Sequence, residues 1–226
     1  MVIGLGLAVA EMAVPWWAER GTERTPWHPG HIAERYGLFT LIVLGESVLA
    51  ATIAIQTAVD TGEAFTDLAT TAIGGFALVA SMWWIYFDQP VDQIVARARR
   101  AFSDEHGNQS FLWGYGHYFV YAGAAATGAG IAVNVDHVTH HSTLTDLQAG
   151  AAVTVPAAIF TITVWLLHRS AKPDGPLRSY ACPVAAAGVL AMSFTGEPVL
   201  GAGIVLATLV AIALKVGRPS TVTAAT

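Results

Sequence analysis

Glu46 carries the most chemistry in this chain, in the segment HIAERYGLFTLIVLGESVLA, residues 31–50. It stands about twelve residues beyond Glu34 in an otherwise apolar run, which places it roughly 18 Å along a helix axis, near the middle of a bilayer. A carboxylate at that depth costs about 2.5–3.5 kcal/mol on insertion scales, so it is expected to face the interior of a bundle, protonated or paired. There it would be either a proton- or cation-binding group on a transport path or a carboxylic acid hydrogen-bonded to a neighbouring helix. Arg35 lies within about 20° of Glu46 around the helix and is its candidate charge partner. Glu34 and Arg35 fall at the interface, where an ion pair or a headgroup contact is the simpler reading. His31 joins their stripe only if the helix continues back through Gly30.

Two weaker constellations follow. Glu11 and His117 enter apolar stretches from the same side to a depth of about 9 Å, and a carboxylate–imidazole pair is a workable proton relay. The alternative is two independent buried groups, with His117 satisfied by backbone or by the hydroxyls of Tyr118 and Tyr121. The segment DHVTHHSTLTD offers Asp136, His137, His140 and His141, which are candidate zinc or copper ligands or external pH sensors, although short His-rich loops are commonly just solvated. Ser47 and Ser193 have no histidine at helical spacing. Neither a P-loop nor a dinucleotide-binding glycine pattern occurs, so hydrolase and nucleotide chemistry find no support, and no cofactor is expected.

The elements that must position these residues are membrane spans. The chain is 54% hydrophobic and 12% charged, against roughly 25% charged in an ordinary soluble domain. About seven stretches approach the ~20 apolar residues that cross a bilayer, near 1–17, 34–57, 67–87, 111–135, 147–168, 179–195 and 198–214. All eleven Lys and Arg fall in or beside alternate gaps: Arg20, Arg24 and Arg35; Arg97, Arg99 and Arg100; Arg169, Lys172 and Arg178; then Lys215 and Arg218. The intervening gaps carry Asp60, Glu63, Asp67, Asp136, Asp146 and Glu197. Basic residues are retained on the cytoplasmic side during insertion, so the amino terminus is placed outside and the carboxyl terminus inside. The expected fold is an all-α polytopic bundle, one domain over residues 1–218 with a disordered tail from 219 to 226.

Finer features fit that frame. Aromatics including Trp83, Trp84, Tyr86, Phe87, Trp113 and Tyr115 gather near the cytoplasmic ends as an interfacial belt. Ile94, Val95, Ala98 and Phe102, interleaved with arginines, suggest a short helix on the inner leaflet. Ala124, Gly128 and Ala132, and likewise Ala122, Ala126 and Gly130, recur every four residues and mark two faces for close helix approach. Pro156 should kink the fifth span, and Gly196-Glu197-Pro198 should close a tight hairpin. The single cysteine, Cys182, excludes disulfides and a cysteine-based zinc cluster, and a net charge of −5 argues against nucleic acid.

The pattern H-x-x-E-R-x-G-L-F-x-x-I-V-L-G-E-S resembles the central motif of the bacterial low temperature requirement A (LtrA) proteins, multi-pass membrane proteins linked to growth in the cold. It is carried by His31, Glu34, Arg35, Gly37, Leu38, Phe39, Ile42, Val43, Leu44, Gly45, Glu46 and Ser47. The resemblance implies a largely helical integral membrane protein of the cell membrane. That family's amino-terminal acidic-aromatic element, of the E-L-F-F-D-L-V-F type, has no match here. With no basic flank before the first span, the chain is expected to be the later part of a longer member.

The function expected from these readings is a transporter or channel-like protein that binds an ion or small molecule, with Glu46 protonatable at its centre. Arg35, Glu34, Glu11 and His117 would be accessory groups, and oligomerisation is left open. Two other classes stand beside it. A membrane-embedded lipid-acting enzyme would draw on His31, Glu34, Arg35, Asp88 and Asp92. A non-catalytic assembly or cold-adaptation factor would need none of the buried charges.

Overall fold

A computed structural model describes residues 29–60, 65–88, 108–168 and 175–217, together with isolated helical positions between Gly4 and Trp17. Among them no strand occurs. The helices are α1 (Pro29–Asp60), α2 (Phe65–Phe87), α3 (Asn108–Val138), α4 (Asp146–His168), α5 (Gly175–Ala191) and α6 (Pro198–Gly217), with a 3-10 turn at Met192–Phe194 before α6.

Local chemistry sets several of these ends. Pro29 and Pro198 open α1 and α6, where a missing N–H costs nothing and φ is already helical. Thr145 and Gln148 form a reciprocal cap at the start of α4: Thr145 N–H donates to Gln148 Oε1 at 3.0 Å, and Gln148 N–H donates to Thr145 Oγ1 at 3.3 Å. α3 stops in a paired turn, with His141 N–H bonded to Asp136 O at 2.8 Å and His140 N–H to His137 O at 3.0 Å. His140 supplies the left-handed residue this stop requires, φ 61°, a place glycine usually fills.

Packing is closest where side chains are smallest. α3 and α4 form the most extensive contact, followed by α2 with α6 and α1 with α3. Gly130 lies against the backbone of Ala152, so a β-carbon there would collide with the Ala152 carbonyl. That carbonyl is the one released by Pro156, which has no N–H to offer four residues on. α4 continues through Pro156, and the freed oxygen faces α3. Gly128 does the same job towards α1, where a β-carbon would come within 2.6 Å of Ser47 Cβ. The Ala124–Gly128 stripe is thus a contact face. The second stripe is not continuous, because Ala122 and Ala126 are exposed. Phe160, Leu78, Met82, Ile131, Leu206 and Val120 fill the core between these helices.

Five helices, α1 to α4 and α6, are long and apolar enough to cross a membrane. The apolar segment Tyr180–Phe194 is shorter, and the stretch 1–17 lies largely outside the described residues. So do the expected inner-leaflet helix around Ile94–Phe102 and the tail 219–226. Outward-facing Ile73, Phe76 and Val184, each about two-thirds exposed or more, form the surface a lipid phase solvates and water does not. Gly196 and Glu197 close the expected hairpin, held by Thr195 N–H to Met192 O at 3.1 Å and by Thr70 Oγ1 donating to Glu197 Oε2 at 3.0 Å.

Candidate functional site

α1 presents two faces, and the motif residues divide between them. Tyr36, Thr40, Leu44 and Ser47 turn inward, while Glu34, Arg35, Leu38, Ile42, Gly45 and Glu46 turn outward. The expectation that Glu46 faces the bundle interior is therefore corrected: Glu46 is exposed and makes no hydrogen bond or ion pair among the described residues. The reason is rotational. Ser47, one residue on, is the position that meets α3, its hydroxyl 2.9 Å from Val43 O and 3.0 Å from Ala124 O, one proton between two carbonyls. Glu46 is turned about 100° from that contact. No ion pair joins Arg35 to Glu46, and both are exposed. Glu34 Oε2 instead lies 3.5 Å from His31 Nδ1 at the exposed start of the helix. Gly37 packs beside Phe87, Leu38 faces outward, and Phe39 is half exposed with its ring turned to Tyr121.

The inward face of α1 helps enclose a polar cluster at the end where α1 and α3 begin and α2 and α4 finish. His117, buried to 2% exposure, is its centre. Its Nδ1 lies 2.8 Å from Trp113 O. A carbonyl only accepts, so Nδ1 carries the proton and Nε2 keeps its lone pair. That lone pair accepts from Tyr86 Oη at 3.2 Å. Thr40, fully buried, donates to Tyr36 O at 2.9 Å. Tyr121 Oη donates to the same Tyr36 carbonyl at 3.3 Å. Rings seal the cluster: Tyr36 contacts His117 at 4.6 Å between centroids and Trp113 at 4.9 Å, Trp113 contacts His117 at 4.4 Å, and Phe39 contacts Tyr121 edge-on at 4.6 Å.

A proton on Nε2 of His117 would turn that nitrogen into a donor, and the Tyr86 hydroxyl would then have to accept in place of donating.

Glu11 is exposed and the structure does not bring it to His117, whose two nitrogens are already engaged. Of the expected hydroxyl partners, Tyr118 is exposed and Tyr121 bonds backbone. Tyr86, Tyr36 and Thr40 were not singled out as partners. The signal was present in depth: Tyr86 closes one span at the level where His117 opens the next, and the aromatic belt concealed a hydrogen-bonding role.

At the opposite end, His137 Nε2 meets Asp146 Oδ1 at 2.9 Å and joins the end of α3 to the start of α4. His141 Nδ1 pairs with Thr139 Oγ1 at 3.2 Å, and His140 serves the helix stop. Asp136, His137, His140 and His141 do not converge, and among the described residues no group of three His, Cys, Asp or Glu is placed to hold a metal ion.

The chain matches one protein-family description, bacterial low temperature requirement A protein (LtrA), over residues 1–216. No curated protein and no solved structure matches it.

Proposed function

The chain belongs to the LtrA family and is an integral membrane protein with several apolar helices; on that footing we propose that it moves protons, or a small solute coupled to protons, across the cell membrane. One observation supports this reading: a buried histidine whose Nε2 accepts from the Tyr86 phenol, inside a bundle of helices long and apolar enough to cross a membrane. Glu46 is retained as a second protonatable group on the outer face of α1, with Arg35 and Glu34 nearer the end of that helix. Glu11 remains an accessory candidate at the level of the first segment. With the basic gaps taken as cytoplasmic, the His117 cluster would lie towards the cytoplasm.

Proton uptake into proteoliposomes, driven by a pH gradient and read by an enclosed dye, tests the proposal. Wild-type protein should raise uptake above empty vesicles, and His117→Phe should abolish that increment with the helical content unchanged. Glu46→Gln should also reduce it if the outer carboxyl lies on the path. Uptake that is unchanged in both variants, or absent from folded wild type, ends the transport reading.

A second reading has one observation of its own. His31 and Glu34 pair at the exposed start of α1, with Arg35 beside them and Asp88 at the same end of the bundle, which is the polar grouping a lipid headgroup enzyme needs; Asp92 lies outside the described residues. Altered phospholipid composition in a deletion strain, restored by wild type and not by Glu34→Ala, would favour it.

A further inference from the structure

The pairs α1–α2 and α3–α4 are built alike. α1 and α3 have 32 and 31 residues, and α2 and α4 have 23 each. Tyr36-Gly37 and Thr66-Asp67-Leu68 of the first pair recur as Tyr115-Gly116 and Thr145-Asp146-Leu147 of the second, at one constant offset along the sequence. Matched positions also hold matched contacts. Gly37 faces Phe87 at the end of α2, and Gly116 faces Leu167 at the end of α4. At the far end of α1, Ala58 clusters with Leu68. The residue at the same offset from Ala58 is His137, which bonds Asp146 at 2.9 Å. These are two hairpins of one design lying side by side, and repeats so arranged are the parts that membrane transporters rock against each other.

Contact within a hairpin differs from contact between the two. Inside the second, α3 lies on the backbone of α4, with Gly130 on Ala152 and Gly123 on Pro156 and Phe160. Between the hairpins the tightest approach is Gly128 on Ser47, at the middle of α1. On the His117 side of that point, the bonds across are Tyr86 Oη to His117 Nε2 at 3.2 Å and Tyr121 Oη to Tyr36 O at 3.3 Å. On the other side Thr71 Oγ1 donates to Asn134 Oδ1 at 3.4 Å. All three are long for a hydroxyl donor and are therefore weak. A steric pivot thus has a weak latch on either side.

At 2% exposure, beneath the rings of Tyr36 and Trp113, His117 exchanges a proton with either side only when something moves. We propose that α1–α2 and α3–α4 rock as two rigid bodies about the Ser47–Gly128 contact, and that the Tyr86–His117 bond is the latch whose release opens the His117 end. The purpose of this motion rests on the proton-transport reading, while its geometry does not. The remaining hairpin touches both bodies: Leu200 of α6 lies against Gly74 of α2, and Ser193 lies against Gly150 of α4. Thr195–Glu197, between those two contacts, is not helical and takes up the change of angle.

Double electron–electron resonance on the full chain in lipid nanodiscs, with Cys182 changed to Ser, tests the motion. Spin labels are placed on cysteines at exposed positions near the His117 end, 38 with 118 across the hairpins, 38 with 83 inside the first and 118 with 166 inside the second. The pair across the hairpins should show two distances, and each internal pair one. His117→Phe, and separately Tyr86→Phe, should raise the share of the longer distance several-fold without changing either internal pair. The two variants remove the latch from opposite sides, so misfolding of one leaves the other to decide. A single distance across the hairpins that neither variant changes overturns the proposal, and so does an internal spread as wide as the one across. Proton uptake with one fixed distance would remove the rocking and leave transport. Two distances without uptake would remove transport and leave the rocking.

Discussion

The two faces of α1 share a backbone, a depth and a hydrophobic composition, yet the bundle uses them differently. The inward face meets α3 through Ser47 on Gly128 and meets the His117 cluster through Tyr36 and Thr40. The outward face carries residues just as apolar, Leu38, Ile42 and Leu49, that touch no neighbouring helix closely enough to be buried. In a membrane, hydrophobicity does not separate inside from outside, because lipid tails solvate leucine as well as other leucines do. What separates them is fit: small residues that allow backbone approach, and polar groups with partners.

The harshest way to break this comparison is to remove the fit on the inward side. Gly128→Leu drives a branched side chain into Ser47, where even a β-carbon would come within 2.6 Å. Overpacking of a tight contact costs about 1–3 kcal/mol where neighbours can shift, and here the nearest atoms include the Ser47 backbone. The expected outcome is loss of most folded protein in mild detergent, measured by size-exclusion recovery and by unfolding in mixed micelles. Recovery equal to wild type would show that α1 is held by something other than this contact.

A gentler pair of substitutions sharpens it. Leu44 and Leu49 are the same residue on one helix, Leu44 at 3% exposure and Leu49 at 52%. Leu44→Ala should leave a cavity and destabilise the bundle by about 2–4 kcal/mol. Leu49→Ala should change the stability of a single copy by less than about 0.5 kcal/mol. Unfolding of each variant under conditions that keep the chain monomeric reads the difference directly, and equal losses would erase the distinction between the faces.

The same distinction explains what the sequence made legible. The five long helices and their order followed from hydropathy, since length and polarity alone decide which segments can cross a bilayer, while the sixth and shortest apolar stretch falls below that length. The Ala124–Gly128 contact was visible for the same kind of reason. The rotation of α1 was not. A carboxylate in a span argued for an inward Glu46, but one step of the helix turns Ser47 inward instead, and only the companion helix selects between them. At His140 it is the backbone conformation that the turn uses, which the residue type alone does not reveal. His117 was recognised and its partner was not, because Tyr86 comes from another helix, thirty-one positions away in the chain.

That partner permits the smallest and most specific prediction. His117→Phe leaves the Tyr86 hydroxyl without its acceptor, and Tyr86→Phe leaves Nε2 without its donor; both substitutions keep a ring at each position, where the two already meet. If the 3.2 Å contact is a hydrogen bond and not a mere ring contact, the two single losses should not add. Interhelical hydrogen bonds in membranes give coupling energies averaging about 0.6 kcal/mol and reaching about 1.7 kcal/mol, and a fully buried pair sealed by aromatic rings belongs in the upper part of that range. Unfolding of wild type, both singles and the double in mixed micelles gives the coupling term. A coupling near zero would mean that His117 and Tyr86 are independently satisfied. In that case the inward face of α1 would differ from the outward face in packing alone, and the proton relay would lose its first bond.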